Sequence, residues 1–189
     1  PPHPPAPPEH APPGPAPPVP PPPLAMSFSL LYHVYPTDCD VFGHVNHATM
    51  ITILEHARWA LIEQVRPLAG RHPRELARDG IWSVVRHVDI AYAWQSLPGD
   101  DLVIRSGLVH IGRTSYRIRQ TVRHAATGRL HAEATITFVC LDVEGQPVPV
   151  PEAWRTLFPR WDDERDAPAA AAADGGSAEE GASGASGAA

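Results

Sequence analysis

Alternation of apolar and polar residues opens the foldable part of the chain. Ser27 to Tyr35 alternates and predicts a first strand. Pro36 to Val45 breaks the pattern with Asp38, Asp40 and Gly43, and reads as a polar loop. Asn46 is a good helix N-cap residue. Beyond it Met50, Leu54, Ala57 and Leu61 recur at helical spacing, with Ile51, Ile53 and Ile62 beside them. A helix apolar on more than one side is expected to be largely buried. It is expected to stop near Arg66, because Pro67 pushes the residue before it out of the helical region. His72 to Asp79 then reads as a short helix, with Pro73 in its first turn and Gly80 past its end.

Everything after Gly80 reads as strand. Ile81 to Ala93 is rich in Val, Ile, Trp and Tyr, and Pro98-Gly99-Asp100 is a turn. Leu102 to His110, Thr114 to His124 and Leu130 to Leu141 follow, separated by turns at Gly112 and at Thr127-Gly128. Pro151 to Leu157 has the makings of a final short helix. Turns this short do not allow crossover connections, so the sheet is expected to be antiparallel. One buried helix on a curved antiparallel sheet of five strands is an α+β arrangement.

The two ends differ in composition from this middle. Residues 1–25 hold 15 of the 24 prolines, and so lack the backbone donors and apolar side chains that a core needs. After Pro168 the chain is Ala, Gly, Ser, Asp and Glu to Ala189, with no large apolar side chain to offset the entropy of ordering. The expected organisation is a disordered proline-rich arm over 1–25, one domain over 26–161, and a disordered acidic tail over 162–189. Met26 is the first methionine, and the folded pattern begins right after it. That position is one reading of the true start; a ligand for a proline-reading domain is the other reading of the arm.

Charge alters the picture little. The formal net charge of −6 belongs to the tail, and the middle of the chain is close to neutral. With no recognition module in view, nucleic acid is not an expected partner. No apolar run approaches the roughly 18 residues that cross a bilayer, and two cysteines make no disulfide framework, so a reducing cytoplasm is the expected setting.

Candidate chemistry is concentrated in Asp38-Cys39-Asp40-Val41-Phe42-Gly43-His44-Val45-Asn46-His47, which leads into the long helix. A helix start presents free N–H groups and a partial positive charge, a suitable cradle for a developing oxyanion. A carboxylate a few residues upstream is placed to act on an electrophilic carbonyl or on water beside it. The same residues also read as an Asx-rich loop that merely caps a helix.

Asp38-x-Asp40-x-x-Gly43-His44-Val45-Asn46, followed by Glu55-x-Ala57-Arg58, resembles the D-x-D-x-x-G-H-V-N-N and E-x-A-R motifs of the 4-hydroxybenzoyl-CoA thioesterase family. Pro98-Gly99-Asp100, Gly112-Arg113-Thr114-Ser115 and Gly145-Gln146-Pro147 resemble its later segments in the same order. The likeness spans about Ser27 to Phe158. It implies a hot-dog fold, with a sheet wrapped around the long helix. It also implies acyl-CoA substrates, a homodimer or homotetramer with sites at the subunit junction, and no metal or redox cofactor.

Residue by residue, Asp40 matches the family's catalytic aspartate, which attacks the thioester or activates water. His47 falls where a backbone N–H polarises the thioester oxygen; many relatives carry Asn there. Asn46 either caps the helix or orients Asp40. His44 either bonds the substrate or Asp40, or is a packed loop histidine. Asp38 is expected in a structural hydrogen bond, and Glu55 and Arg58, three apart on the helix, in a structural ion pair. The acids flanking Cys39 are expected to raise its pKa and keep it from serving as a nucleophile. Arg113, Arg117, Arg119 and Arg123 share one strand face opposite Tyr116, Ile118 and Val122. They are candidates for the CoA phosphates, or belong to a solvated outer face or a tetramer contact. The expected activity is hydrolysis of an acyl-CoA thioester; a non-catalytic module that binds acyl-CoA or acyl carrier protein is the alternative.

Overall fold

Alternating side-chain patterns need partners on one face, and the chain supplies them in one sheet. A computed structural model describes residues 28–69, 73–78 and 80–163. In chain order these form β1 (Phe28–His33), a 3-10 turn (Pro36–Asp38), α1 (His47–Ala69), α2 (Pro73–Arg78), β2 (Trp82–Tyr92), β3 (Asp101–Ile111), β4 (Ser115–His124), β5 (Leu130–Leu141) and α3 (Glu152–Leu157). The five strands make one antiparallel sheet in the order β1-β3-β4-β5-β2. The α+β class and the antiparallel pairing are as the pattern predicts. The proline-rich arm over 1–25 and the tail beyond residue 163 lie outside the described residues.

The core sits between α1 and the inner face of the sheet. Met50, Ile53, Leu54, Ala57 and Leu61 of α1 are buried together with Leu102 and Ile104 of β3 and Ile118 and Val122 of β4. Truncating one such residue, Leu54→Ala for instance, typically costs about 2–5 kcal/mol. The other side of α1 is open, since Thr52, Glu55 and His56 are exposed. The helix therefore lies on the sheet with one face covered, rather than being buried on several sides.

The helix also runs past its expected end. It continues to Ala69, with Pro67 in the last turn. There a proline removes a single ladder bond, and little helix remains beyond it to be disrupted.

One inner position of β4 is polar. Gln120 is fully buried, and its amide donates to the carbonyl oxygen of Leu54 at 3.0 Å and to Ser106 Oγ at 2.8 Å. Its Oε1 accepts from Nη1 of Arg58 at 2.8 Å. Arg58 thus turns under the helix to the sheet, instead of lying along the surface in an ion pair with Glu55. Burial pushes the Arg58 pKa down, and the charge of nearby Glu55 acts against that shift.

The chain closes beside β3. Where pairing with β1 ends at Ser106, the N–H of Leu108 donates to the carbonyl of Pro159 at 2.8 Å, and the N–H of Trp161 returns to the carbonyl of Leu108 at 3.0 Å. Gly107 makes this possible, because a Cβ there would stand 2.9 Å from the Trp161 nitrogen.

Candidate functional site

The acidic loop folds as a small hairpin. Cys39 and Val45 face each other across an antiparallel bridge, and the N–H of Gly43 closes the turn onto the carbonyl of Asp40 at 3.0 Å. Gly43 has φ of 82°, which a side-chain-bearing residue adopts only with strain. The hairpin leaves Val41 and Phe42 exposed at its tip, and Phe42 stacks on His44.

Two anchors join the hairpin to the rest of the protein. The N–H of Asn46 donates to the carbonyl of Asp38 at 3.0 Å, and that of Val45 to the carbonyl of Ser96 at 2.9 Å. The Asp38 carboxylate accepts from the N–H of Tyr35 at 2.8 Å and from the hydroxyl of Tyr32 at 3.1 Å, so it has the structural role expected of it. Burial and then this bond push the Tyr32 pKa up to about 12.

Asn46 is the N-cap of α1: its Oδ1 accepts from the N–H of Ala48 at 2.9 Å, and its carbonyl takes the first helical bond from Met50. His47 is the first helical residue. Among the described residues its own N–H has no acceptor. Such a donor at a helix start retains both its proton and the local positive potential.

A cleft of about 520 Å³ is lined by this residue. His44, Val45, His47 and Met50 form one wall, and Tyr92, Ala93, Trp94, Gln95 and Ser96 form the other. Asp40 stands behind His44, with Oδ1 3.8 Å from His44 Nδ1, too far for a hydrogen bond. The same Oδ1 accepts from the N–H of Phe42 at 2.9 Å, which fixes the carboxylate, while Oδ2 has no hydrogen-bond partner among the described residues. Asp40, His44, Asn46 and His47 are therefore gathered within one hairpin and one helix turn.

The second wall comes from the end of β2, far away in sequence. Tyr92 donates its hydroxyl to the carbonyl oxygen of His47 at 3.0 Å, and the N–H of Trp94 is held by the carbonyl of His131. The Trp94 ring carries the guanidinium of Arg129, 4.4 Å from its centre. Ser96 is buried, with Oγ 2.7 Å from Nδ1 of His131. Burial pushes the His131 pKa down, with His124 and Arg129 adding to the shift and Asp100 opposing it. None of this wall is marked by a motif in the sequence. An aromatic pair straddling Ala93 before the Pro98-Gly99-Asp100 turn is the one hint.

The Cys39 thiol is held towards its neutral form. Burial first, then Asp38 and Asp40, raises its pKa. Cys140, fully buried, is pushed up to about 11. Among the described residues no three His, Cys, Asp or Glu side chains converge in a metal-binding cluster.

Arg113 and the arginines of β4 do not line the cleft of their own chain. Val122 is the β4 residue level with Tyr92 through Ala132, and Arg117 lies five residues, roughly 17 Å, back along the strand. Arg113 is farther still. Arg119 is already held by Glu133 at 2.7 Å and Asp163 at 2.8 Å, with its guanidinium 4.9 Å from the centre of the Trp161 ring. Arg123 donates to the carbonyl of Gly128. Arg113 and Arg117 are exposed.

Comparison with known proteins agrees with this geometry. The family described as the thioesterase-like superfamily matches residues 34–158. The chain is 32% identical over 107 residues to the long-chain acyl-CoA thioesterase FadM of Escherichia coli strain K12, an alignment covering 57% of this chain and 77% of that protein. The solved structure of YbaW, a probable thioesterase from Escherichia coli, has a TM-score of 0.59 at 27% identity, covering 70% of this chain and 96% of that one. Slr0204, a 1,4-dihydroxy-2-naphthoyl-CoA thioesterase from Synechocystis, reaches a TM-score of 0.62 at 19% identity over 69% of this chain and 94% of its own. Such distant neighbours share the fold: one helix against an open five-stranded antiparallel sheet, the hot-dog architecture. With the family matched along residues 34–158, the chain belongs to the thioesterase-like superfamily.

Proposed function

We propose that this thioesterase hydrolyses acyl-CoA thioesters to the free acid and CoA, using Asp40 against a thioester carbonyl held at the start of α1. The observation that carries the reading is the His47 N–H. It has no acceptor among the described residues, and His47 lines a cleft of about 520 Å³ together with His44, whose Nδ1 stands 3.8 Å from Asp40 Oδ1. A thioester oxygen seated on that N–H gains charge as the carbonyl is attacked, and the helix terminus stabilises that charge. The free Oδ2 of Asp40 either takes a proton from the attacking water or forms the bond itself. His44 lies between the carboxylate and the cleft, and Asn46 keeps the helix start capped and the N–H in place.

The reading includes a second copy of the chain. β2 is an edge strand of eleven residues with Trp82, Val84, Val85 and Tyr92 exposed along it. An unpaired apolar edge of that length invites a partner strand, and a homodimer joined there encloses the groove beside β2. Arg113 and Arg117, remote from the cleft of their own chain, reach CoA phosphates only from another copy. Two free cysteines fit a reducing cytoplasm.

The test is a panel of acyl-CoAs with detection of the released thiol. The reading expects turnover of at least one aliphatic or aromatic acyl-CoA well above the uncatalysed rate. Binding of acyl-CoA without thiol release across the panel would instead identify a non-catalytic binding module.

A further inference from the structure

A second chamber lies between α1, the segment over 154–158 and the sheet. It measures about 120 Å³ and is bounded by Glu55 and Arg58 of α1, Ser83 and Val85 of β2, and the rings of Tyr116 and Phe138. Both α1 and β2 contribute to the cleft and to the chamber, with His47 and Tyr92 at the first and Arg58 and Val85 at the second. The helix packs chiefly on β1, β3 and α3, so β2 stands off from it. From His47 to Arg58 is eleven residues of helix, about 16 Å. An acyl chain whose carbonyl sits at the His47 N–H reaches the chamber only when it is long.

Arg58 is unusual in such a place. It is 8% exposed, and Tyr116 and Phe138 stack beside it, with its guanidinium 5.8 Å from the Phe138 centre. A guanidinium has five N–H donors. Among the described residues Gln120 is its hydrogen-bond partner, through Nη1, while the side chain lines the chamber. With one donor taken there, an oxygen entering the chamber has further N–H groups to meet. Glu55, on the same rim, opposes a second negative charge there. A neutral oxygen suits both side chains: it accepts from Arg58 and, as a hydroxyl, donates to Glu55.

We propose that this chamber receives the far end of a long acyl chain and recognises a neutral oxygen on it, a hydroxyl or a ketone, through Arg58. The inference rests on the hydrolase reading and adds the class of acyl group. A volume slightly below the roughly 150 Å³ that holds a benzene ring suits a few terminal carbons and one oxygen.

The test uses the full chain and four substrates: palmitoyl-CoA, octanoyl-CoA and the ω-hydroxy form of each. The expected result is that the ω-hydroxyl raises kcat/KM about tenfold or more at palmitoyl length, the worth of a hydrogen bond to a charged group, and changes nothing at octanoyl length. Arg58→Met is expected to remove that preference while octanoyl-CoA is still hydrolysed. Val85→Trp, which leaves the Arg58–Gln120 bond in place, is expected to depress the palmitoyl rate relative to the octanoyl rate. Equal rates for the two palmitoyl substrates in the wild type, or the same preference at both lengths, overturn the proposal. Should no thioester turn over, the hydrolase reading falls, and calorimetric affinities for the same four ligands decide the chamber's role separately.

Discussion

The hydroxyl of Tyr92, the last residue of β2, donates to the carbonyl oxygen of His47, the first residue of α1, at 3.0 Å. The bond ties the edge strand to the helix start across the mouth of the cleft, although 45 residues separate the two in sequence. Tyr92→Phe removes one neutral hydrogen bond. It is expected to lower stability by about 1 kcal/mol. Because the helix start is then less firmly placed, kcat should fall with it while substrate affinity changes less. Urea denaturation and steady-state kinetics on the same variant check the pair.

Gly107→Ala places a methyl group against backbone atoms that have no rotamer to yield, with the Trp161 nitrogen at 2.9 Å and its Cα at 3.0 Å. Overpacking of this kind costs about 1–3 kcal/mol. The strand-like segment over 159–161 is expected to detach from β3. Increased hydrogen exchange at the Leu108 and Trp161 amides, with a lowered denaturation midpoint, is the result to look for.

Gln120→Leu keeps the volume of the side chain but leaves the Arg58 guanidinium without its acceptor in the core. Leaving a buried charged donor without its acceptor costs about 3 kcal/mol or more. The substitution should therefore destabilise far more than Glu133→Gln, which loosens the half-exposed Arg119 pair and is worth at most about 1 kcal/mol.

His131 makes a pH signature. Its folded pKa lies below the ordinary value of 6.5, chiefly through burial. Below that value the unfolded chain takes up a proton that the folded chain resists, so acid favours unfolding. Stability from this group is fully present above pH 6.5 and declines as the pH falls below it. The groups that face the ring are Ser96, Asp100, His124 and Arg129. His131→Asn should flatten the decline between neutral and mildly acidic pH, read as the difference in denaturation midpoint between variant and wild type.

Local patterns in the sequence were enough to read β5 at its observed bounds, the Asn46 cap and the compact grouping of Asp40 with the start of α1. Each depends on residues within a turn or two of one another. Features made by distant contacts were not readable. The order β1-β3-β4-β5-β2 depends on β2 crossing to the far edge, which no turn residue encodes. Arg58 was expected beside Glu55, its neighbour on the helix, but finds Gln120, 62 residues away. Arg119 reads equally as a phosphate ligand, as part of a solvated outer face or as a tetramer contact, and its pairing with Glu133 and Asp163 is not encoded nearby. The Tyr92–Ser96 wall carries no signature because its residues are held by backbone bonds to His131 and Val45, not by a local motif. Pro67 was read as a stop signal because its position in a last turn depends on where the helix ends.

The most direct measurement is the turnover of Asp40→Asn beside the wild type on one acyl-CoA that the wild type hydrolyses, with circular dichroism to confirm that the variant is folded. Asparagine preserves the size of the side chain and removes the carboxylate, so the account predicts a fall in kcat of about a hundredfold or more, with KM changed little. Equal kcat in a folded variant would contradict it.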